Sequence, residues 1–365
     1  MTDQIPIPAV FMRGGTSRGL LFHKKDLPKD KSLISKYLLK IMGSPDIRQI
    51  DGMGGGTSVT SKVCIISKSV ERDVDIDYLF AQVEVDRNYV DFEPTCGNML
   101  SAVGPFAIEE GLVKPSNQNT EICVRSVNTN SLIKLLVPTP NAKVVYDGNF
   151  KIDGVPSTGS PILLNFLELE GVKTGKLFPT NEFSTKINDI NVTCIDLGNP
   201  MVLGQAKDFL INGDEDSKKL NANKTLFEKI ENVRKIAGIK MGMGDVTGKV
   251  LPKFALLSSV NKGGNIRSRY FTPFSCHETH AVTGTLCVAS SCLIPGTISY
   301  NLFKCKKDKK VSITIEHPLG EIECVINLEN NFQKNLKNKK NLINSCGIYR
   351  TARKIMRGFV YVPNN

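Results

Sequence analysis

Two segments of this chain, residues 96–108 and 281–292, are apolar nearly all round over a helical length. A helix with no polar face cannot lie on a surface, so the rest of its domain must enclose it. Each is entered through a turn of small residues, Cys96-Gly-Asn in the first and Thr283-Gly-Thr in the second. Around them lie stretches with period-two alternation: Gln82-Val-Glu-Val-Asp, Glu121-Ile-Cys-Val-Arg-Ser-Val, Ala142-Lys-Val-Val-Tyr, Asn191-Val-Thr-Cys-Ile-Asp and Val311-Ser-Ile-Thr-Ile-Glu. These read as strands. Residues 30–42, ending at Gly43, and a segment within 219–238 read as amphipathic helices.

Each half thus carries several strands and one enclosed helix, a weak internal repeat. The expectation is an α+β chain of two similar domains whose helix N-termini face a common cleft. A length of 365 residues exceeds one ordinary core and agrees with two. The linker is expected after Gly171, in the polar stretch Lys173-Thr-Gly-Lys-Leu-Phe-Pro-Thr-Asn-Glu-Phe. That gives domains at 1–180 and 181–353, the first completed by a C-terminal strand at 354–365.

Composition narrows the function classes. At 41% hydrophobic and 23% charged, the chain reads as a soluble globular protein. No secretory signal is visible in Met1-Thr-Asp-Gln-Ile-Pro, and no apolar run approaches the ~20 residues of a membrane span, so a cytoplasmic location is expected. The ten cysteines are scattered, with no Cys-x-x-Cys pair, which points to free thiols without disulfides or zinc. The net charge of +11 comes partly from Lys306-Lys-Asp-Lys-Lys310 and from the Asn/Lys-rich run at 329–341, read as a surface loop. Those runs lack the interleaved aromatics of a nucleic-acid face, so neither nucleic acid nor membrane is an expected partner. A positive field suits polyanionic metabolites better.

Cys96 stands at the mouth of an enclosed helix, where unpaired N–H groups and the helix dipole favour a thiolate. Thiols so placed have pKa values of roughly 3.5–7.5 instead of about 8.5. The same donors, at Gly97 and Asn98, can receive a carboxylate. Upstream, Gly54-Gly-Gly-Thr-Ser-Val-Thr-Ser-Lys62 is a glycine-rich turn running into a strand. A thiol and an amine beside glycine-rich anion sites suggest proton transfer at carbon. Gly14-Gly-Thr16-Ser17 forms another turn whose hydroxyls suit a carboxylate or simply the turn. Arg267 and Arg269 alternate on a strand and read either as a carboxylate clamp or as a solvated edge. His280 caps or serves the second helix. None of the glycine runs has the Gly-x-Gly-x-x-Gly pattern of a dinucleotide site, and no metal or cofactor is expected.

In its motifs the sequence resembles the PrpF-type isomerases of the diaminopimelate-epimerase-like superfamily. They are Met12-Arg-Gly-Gly-Thr-Ser-Arg-Gly19, Gly54-Gly-Gly-Thr-Ser58 with Lys62, Thr95-Cys-Gly-Asn98 with Gly104-Pro-Phe-Ala107, and Pro156-Ser-Thr-Gly-Ser-Pro-Ile162. Further on come Leu197-Gly-Asn-Pro200, Pro252-Lys-Phe-Ala-Leu256, His280-Ala-Val-Thr-Gly-Thr285 and Arg350-Thr-Ala-Arg353. The resemblance implies two domains, each a curved, mostly antiparallel sheet round a central helix, with the active site between them. It also implies cofactor-independent isomerisation of an unsaturated di- or tricarboxylate, such as 2-methylaconitate, methylitaconate, aconitate or oxalomesaconate. The family's catalytic lysine and cysteine fall on Lys62 and Cys96. Thr16, Ser17, Gly97, Asn98, Arg267, His280, Thr283, Gly284 and Thr285 are the expected substrate contacts.

Two departures from the family stand out. Ser275-Cys-His-Glu-Thr-His280 replaces a Met-Gly-basic segment common in relatives, and the 329–341 loop is longer than usual. Amino-acid epimerases of this resemblance carry a second cysteine at the other helix mouth, where Thr283 is the expected counterpart here, so paired-thiol stereoinversion is disfavoured. The alternatives are such a racemase, or a silent polycarboxylate-binding protein. A homo-oligomer is left open.

Overall fold

The computed structural model describes residues 3–260, 263–272, 274–303 and 310–363. Cys305 and most of the Lys306–Lys310 cluster lie outside them. The chain divides into two compact units, one of residues 1–166 and 349–365, the other of Leu167–Ile348.

The first unit contains β1 (Gln4–Gly14), β2 (Ser17–His23), α1 (Lys31–Met42), β3 (Lys62–Lys68), β4 (Ile76–Val83), β5 (Val90–Asp91), α2 (Gly97–Glu109), β6 (Gln118–Ser126), β7 (Ser131–Thr139) and β8 (Ile162–Leu167). The second contains β9 (Thr185–Ile187), β10 (Ile190–Asp196), β11 (Pro200–Gln205), α3 (Ser217–Asn221), α4 (Lys224–Lys240), β12 (Lys253–Ser258), β13 (Ile266–Phe271), α5 (Val282–Cys292), α6 (Ile298–Leu302), β14 (Lys310–His317), β15 (Gly320–Leu328), α7 (Phe332–Asn335) and β16 (Ile343–Arg350). Finally β17 (Ala352–Pro363) rejoins the first unit, antiparallel to β1 from Gln4↔Pro363 to Gly14↔Ala352.

Local chemistry explains the helices. Asp30 caps α1 by accepting from the Leu33 amide, and Gly43 closes it in the left-handed region at φ 76°. Asn223 caps α4 in the same way through the Leu226 amide. In α2 every residue from Met99 to Ile108 is buried, and in α5 every residue from Gly284 to Cys292. The sheet of the first unit wraps α2, which touches β1, β2, β3, β4, β7 and β17. Its other face packs on α1: Phe11, Leu20, Phe22, Val63 and Ile65 share one core with Ile34, Leu38 and Met42. In the second unit Val202, Phe254, Leu256 and Phe271 do the same with Leu226, Ile230 and Val233 of α4.

Three expectations need correction. Of the strand read at Gln82-Val-Glu-Val-Asp, only Gln82 and Val83 are strand, the tail of β4, which begins at Ile76. Its interior is apolar on both faces, so alternation is weak where the strand actually runs. Ala142-Lys-Val-Val-Tyr is not a strand: it leaves a 3₁₀ turn, Pro140–Ala142, where Asn141 and Ala142 hold positive φ. The unit boundary falls at 166/167 rather than 180, and the chain returns at 349 rather than 354. The polar 173–183 stretch is part of the second unit's structure. Asp196 Oδ2 accepts from the amides of Lys173 and Thr174 at 2.9 and 2.8 Å, and Leu177 and Phe178 are buried.

Candidate active site

The alternation of β3 decides what faces α2. Val63 and Ile65 belong to the α1 core, so Lys62 and Cys64 point the other way, towards α2. Cross-strand register then sets Gln82 opposite Lys62, Phe80 opposite Cys64 and Tyr78 opposite Ile66. Lys62 is 9% exposed. Its Nζ donates to Gln82 Oε1 at 2.6 Å and lies 5.0 Å from the centre of the Phe80 ring. The Gln82 amide is itself held, its Nε2 donating to the carbonyls of Ser58 and Ser61 at 3.1 and 3.0 Å. Gln82 is the amine's one hydrogen-bond partner among the described residues, and it is neutral. The preceding glycine loop is tied by buried Gln49, whose Oε1 accepts from the Gly56 amide and the Ser61 hydroxyl.

Cys96 is the N-cap of α2, half-buried, in extended backbone at φ −128°. Its carbonyl accepts from the Leu100 amide at 3.0 Å and from the Tyr78 hydroxyl at 3.2 Å. No side chain caps this helix end. Beneath lies Cys64, fully buried, its thiol within electrostatic range of both Cys96 and Lys62. Burial holds the Cys64 thiol and the Tyr78 phenol protonated, well above their usual ranges. The buried Cys64–Tyr78 pair thus adjoins both residues: Tyr78 holds the Cys96 carbonyl, and Cys64 follows Lys62 on the same face of β3.

Asn98 joins this helix end to the Gly14-Gly-Thr-Ser turn. Its Oδ1 accepts from Arg350 Nε at 3.2 Å and from the Thr16 amide at 3.4 Å, while its Nδ2 donates to Thr16 Oγ1 at 3.0 Å. Gly15 holds φ +52°, and a Cβ there would fall 2.2 Å from Asn98 Oδ1. Thr16, Gly97 and Asn98 thus gather at the α2 mouth, and buried Ser17 starts the return strand beside them.

In the second unit, α5 is capped by Ala281, not by a residue of the Thr283-Gly-Thr turn. Thr283 is two residues further in and corresponds to Asn98; the position of Cys96 is taken by Ala281. Thr283 Oγ1 accepts from Asn199 Nδ2 at 2.6 Å, and Asn199 follows Gly198 at φ +77°. Gly284 is required by packing, since a Cβ there would lie 2.4 Å from the Tyr270 ring. Thr285 is buried and donates to the Ala281 carbonyl at 3.0 Å. His280 is 4% exposed, bonded through Nε2 to Ser268 Oγ at 3.0 Å and through Nδ1 to Thr285 Oγ1 at 3.1 Å. Burial lowers its pKa to about 3, so it is neutral at physiological pH. Its bonds make it a support for the α5 entry.

The structure does not bring the arginines to this mouth. Ser268 and Tyr270 meet His280 on the α5 side, so Arg267 and Arg269 face the opposite side of β13. Arg267 is buried against Glu316 at 3.1 Å, and Arg269 donates to the Glu215 carbonyl at 2.6 Å. Sequence reading missed Tyr78, Phe80, Gln82, Gln49 and Asn199. Asn199 alone carried a signal, in the Leu197-Gly-Asn-Pro motif. Among the described residues no group of three or more His, Cys, Asp or Glu side chains is placed to hold a metal ion, and no helix is long and apolar enough to cross a membrane.

Comparison with known proteins identifies the family and agrees with the fold. Residues 4–363 match the family described as PrpF protein. The chain is 44% identical over 357 residues to the putative isomerase YbhH of Escherichia coli, covering 98% of this chain and 99% of that protein. It is 40% identical over 359 residues to the 4-oxalomesaconate tautomerase of Pseudomonas putida, covering 98% and 97%. The crystal structure of a methylitaconate-delta-isomerase superposes with a TM-score of 0.90 at 35% identity, covering 99% of this chain and 97% of that one.

Proposed function

The chain belongs to the PrpF family, and from the lysine and the cap thiol of its first unit we infer that it isomerises an unsaturated di- or tricarboxylate. It is an isomerase, and the reading of its chemistry rests on one observation above all. Lys62 is a buried amine held by a neutral amide, and the same unit carries a half-buried thiol on an uncapped helix N-terminus.

Moving a double bond in such an acid requires removal of an allylic proton. The C–H electron pair then spreads through the double bond into a conjugated carboxylate. Returning a proton at the far end of the system shifts the double bond, and rotation before return changes its geometry. Cys96 and Lys62 are the groups that take and return the proton. A positioned acid–base group contributes roughly 10²–10⁴-fold. The amides at the start of α2 supply donors for the carboxylate oxygens where charge develops, and they need no reorganisation to do so. A racemase of the paired-thiol kind would need a second cysteine at a helix cap, and α5 has Ala281 there. Because every described cysteine is free, the cytoplasm suits this chemistry.

The test is incubation with oxalomesaconate, methylitaconate, 2-methylaconitate and cis-aconitate in D₂O, followed by proton NMR. The expected result is deuterium exchange at an allylic carbon together with a shifted or rotated double bond in at least one acid. Neither exchange nor isomerisation in any of them would remove this reading.

A further inference from the structure

The two units are threaded alike. In the first, β1–β2, β3–β4 and β6–β7 pair antiparallel while β2–β3 and β4–β6 pair parallel. In the second, β10–β11, β12–β13 and β14–β15 pair antiparallel while β11–β12 and β13–β14 pair parallel. By this correspondence β12 is the counterpart of β3. Each follows an outer helix, α1 or α4, and a Gly-Met-Gly sequence, Gly52-Met-Gly54 or Gly242-Met-Gly244. Met53 and Met243 each pack on the core beneath their own outer helix. Each strand then opens on a lysine: Lys62 in β3, Lys253 in β12.

The faces agree as well. Phe254 and Leu256 belong to the α4 core as Val63 and Ile65 belong to the α1 core, so Lys253, like Lys62, points to the side of the central helix. What differs is how the amines are held. Lys62 has Gln82 and the Phe80 ring; Lys253, half-buried, has neither a hydrogen bond nor an ion pair among the described residues. Burial, and secondarily Arg234, pull its pKa below the ordinary lysine value. Desolvating an ammonium without a counter-ion is unfavourable, and a ligand carboxylate beside it offsets that cost.

We propose that Lys253 is a carboxylate-binding residue of the second unit, the counterpart of Lys62. The proposal rests on the polycarboxylate reading given above. Calorimetric titration with tricarballylate and with the four acids of the NMR panel tests it. Lys253→Met keeps the aliphatic stem, and loss of a charge-assisted contact should weaken binding about tenfold or more. It should raise KM while kcat stays within about threefold, as expected when ground state and transition state lose one contact equally. Lys253→Arg should recover most of the affinity. In the parent protein, bound acid should protect Lys253 from acylation, mapped by mass spectrometry, a readout indifferent to any folding effect of the variants. Equal binding by parent and Lys253→Met, or acylation of Lys253 unchanged by bound acid, overturns this proposal alone. A parent protein that binds none of the acids overturns the polycarboxylate reading and this proposal with it.

Discussion

The mouths of α2 and α5 are built from the same parts in exchanged positions. At the first, an asparagine on the helix, Asn98, donates its amide hydrogen to a threonine in a glycine turn, Thr16. At the second, an asparagine in a glycine turn, Asn199, donates to a threonine on the helix, Thr283. Each arrangement fastens a helix N-terminus to a hairpin while leaving the first helical amides without intrahelical partners. The caps differ. Cys96 supplies a half-buried thiol, whereas Ala281 supplies nothing and stands next to a buried neutral histidine. A shared Asn–Thr frame at the helix mouth thus coexists with a cap thiol in one copy only. On the proposed reading, proton transfer belongs to the first mouth and not to the second.

The sharpest way to break that division is kinetic. Lys62→Ala and Cys96→Ala should each lower kcat by at least about 10²-fold, the lower end for a positioned acid–base group. Thr283→Ala should cost less than about tenfold and act chiefly on KM. Because Lys62 and Cys96 act on one substrate, their double variant should lose far less than the product of the single losses. Steady-state rates on whichever acid the parent isomerises decide the matter. Near-normal turnover in both single variants, or an equal loss in Thr283→Ala, would dissolve the contrast.

The next effect concerns stability in acid. Held near a pKa of about 3, His280 is neutral in the fold, while in the unfolded chain it takes a proton near pH 6.5. The unfolded state then binds more protons between those values, so this contribution is present above pH 6.5 and is lost as pH falls towards 3. A tenfold difference in proton affinity between the two states is worth about 1.4 kcal/mol, so a few kcal/mol should drain from the second unit. Hydrogen exchange in α5 should quicken on going from pH 7 to pH 4.5, after correction for intrinsic rates, more than exchange in α2. His280→Gln should flatten the difference, and identical acid responses of the two helices would refute it.

Much of this contrast could be read from the chain, and what could not has a common cause. The α1 boundaries followed from Asp30 and Gly43, and the two enclosed helices from their lack of a polar face. Lys62 and Cys96 stood out because glycine turns and helix mouths are local signals. Gln82 did not, because its pairing with Lys62 is a matter of cross-strand register twenty residues apart. Arg267 misled for a related reason: alternation shows that two residues share a face but not which one, and Glu316 comes from β14. Thr283 was two residues from the cap because small residues mark a helix start without marking the cap.

A smaller effect separates the two glycine turns. Gly15→Ala must accept φ +52° and also displace Asn98, whose Oδ1 would be 2.2 Å from the new Cβ. Left-handed backbone costs about 1–3 kcal/mol, and forced repacking adds a similar amount. Gly198→Ala accepts φ +77°, but its nearest neighbour, Leu169, is 3.3 Å away, so strain dominates. Gly15→Ala should therefore destabilise by about 1–3 kcal/mol more than Gly198→Ala in urea unfolding. Equal losses would mean that Asn98 yields without cost.

The smallest expected effect tests the exchanged pairs themselves. Asn98 makes three contacts, to the Thr16 amide, the Thr16 hydroxyl and Arg350 Nε, whereas Asn199 makes one short bond to Thr283. A neutral hydrogen bond contributes about 0.5–1.5 kcal/mol net, and one to a charged group about 1.5–3. The coupling energy between Asn98 and Thr16, from Asn98→Ala, Thr16→Ala and the double variant, reports only their shared bonds. It should match the Asn199–Thr283 coupling to within about 1 kcal/mol, although Asn98→Ala alone should cost more than Asn199→Ala because it also loses Arg350. If the two couplings differ by several kcal/mol, the pairs are not the same device in exchanged positions. The parallel between the two mouths would then be one of topology without shared energetics.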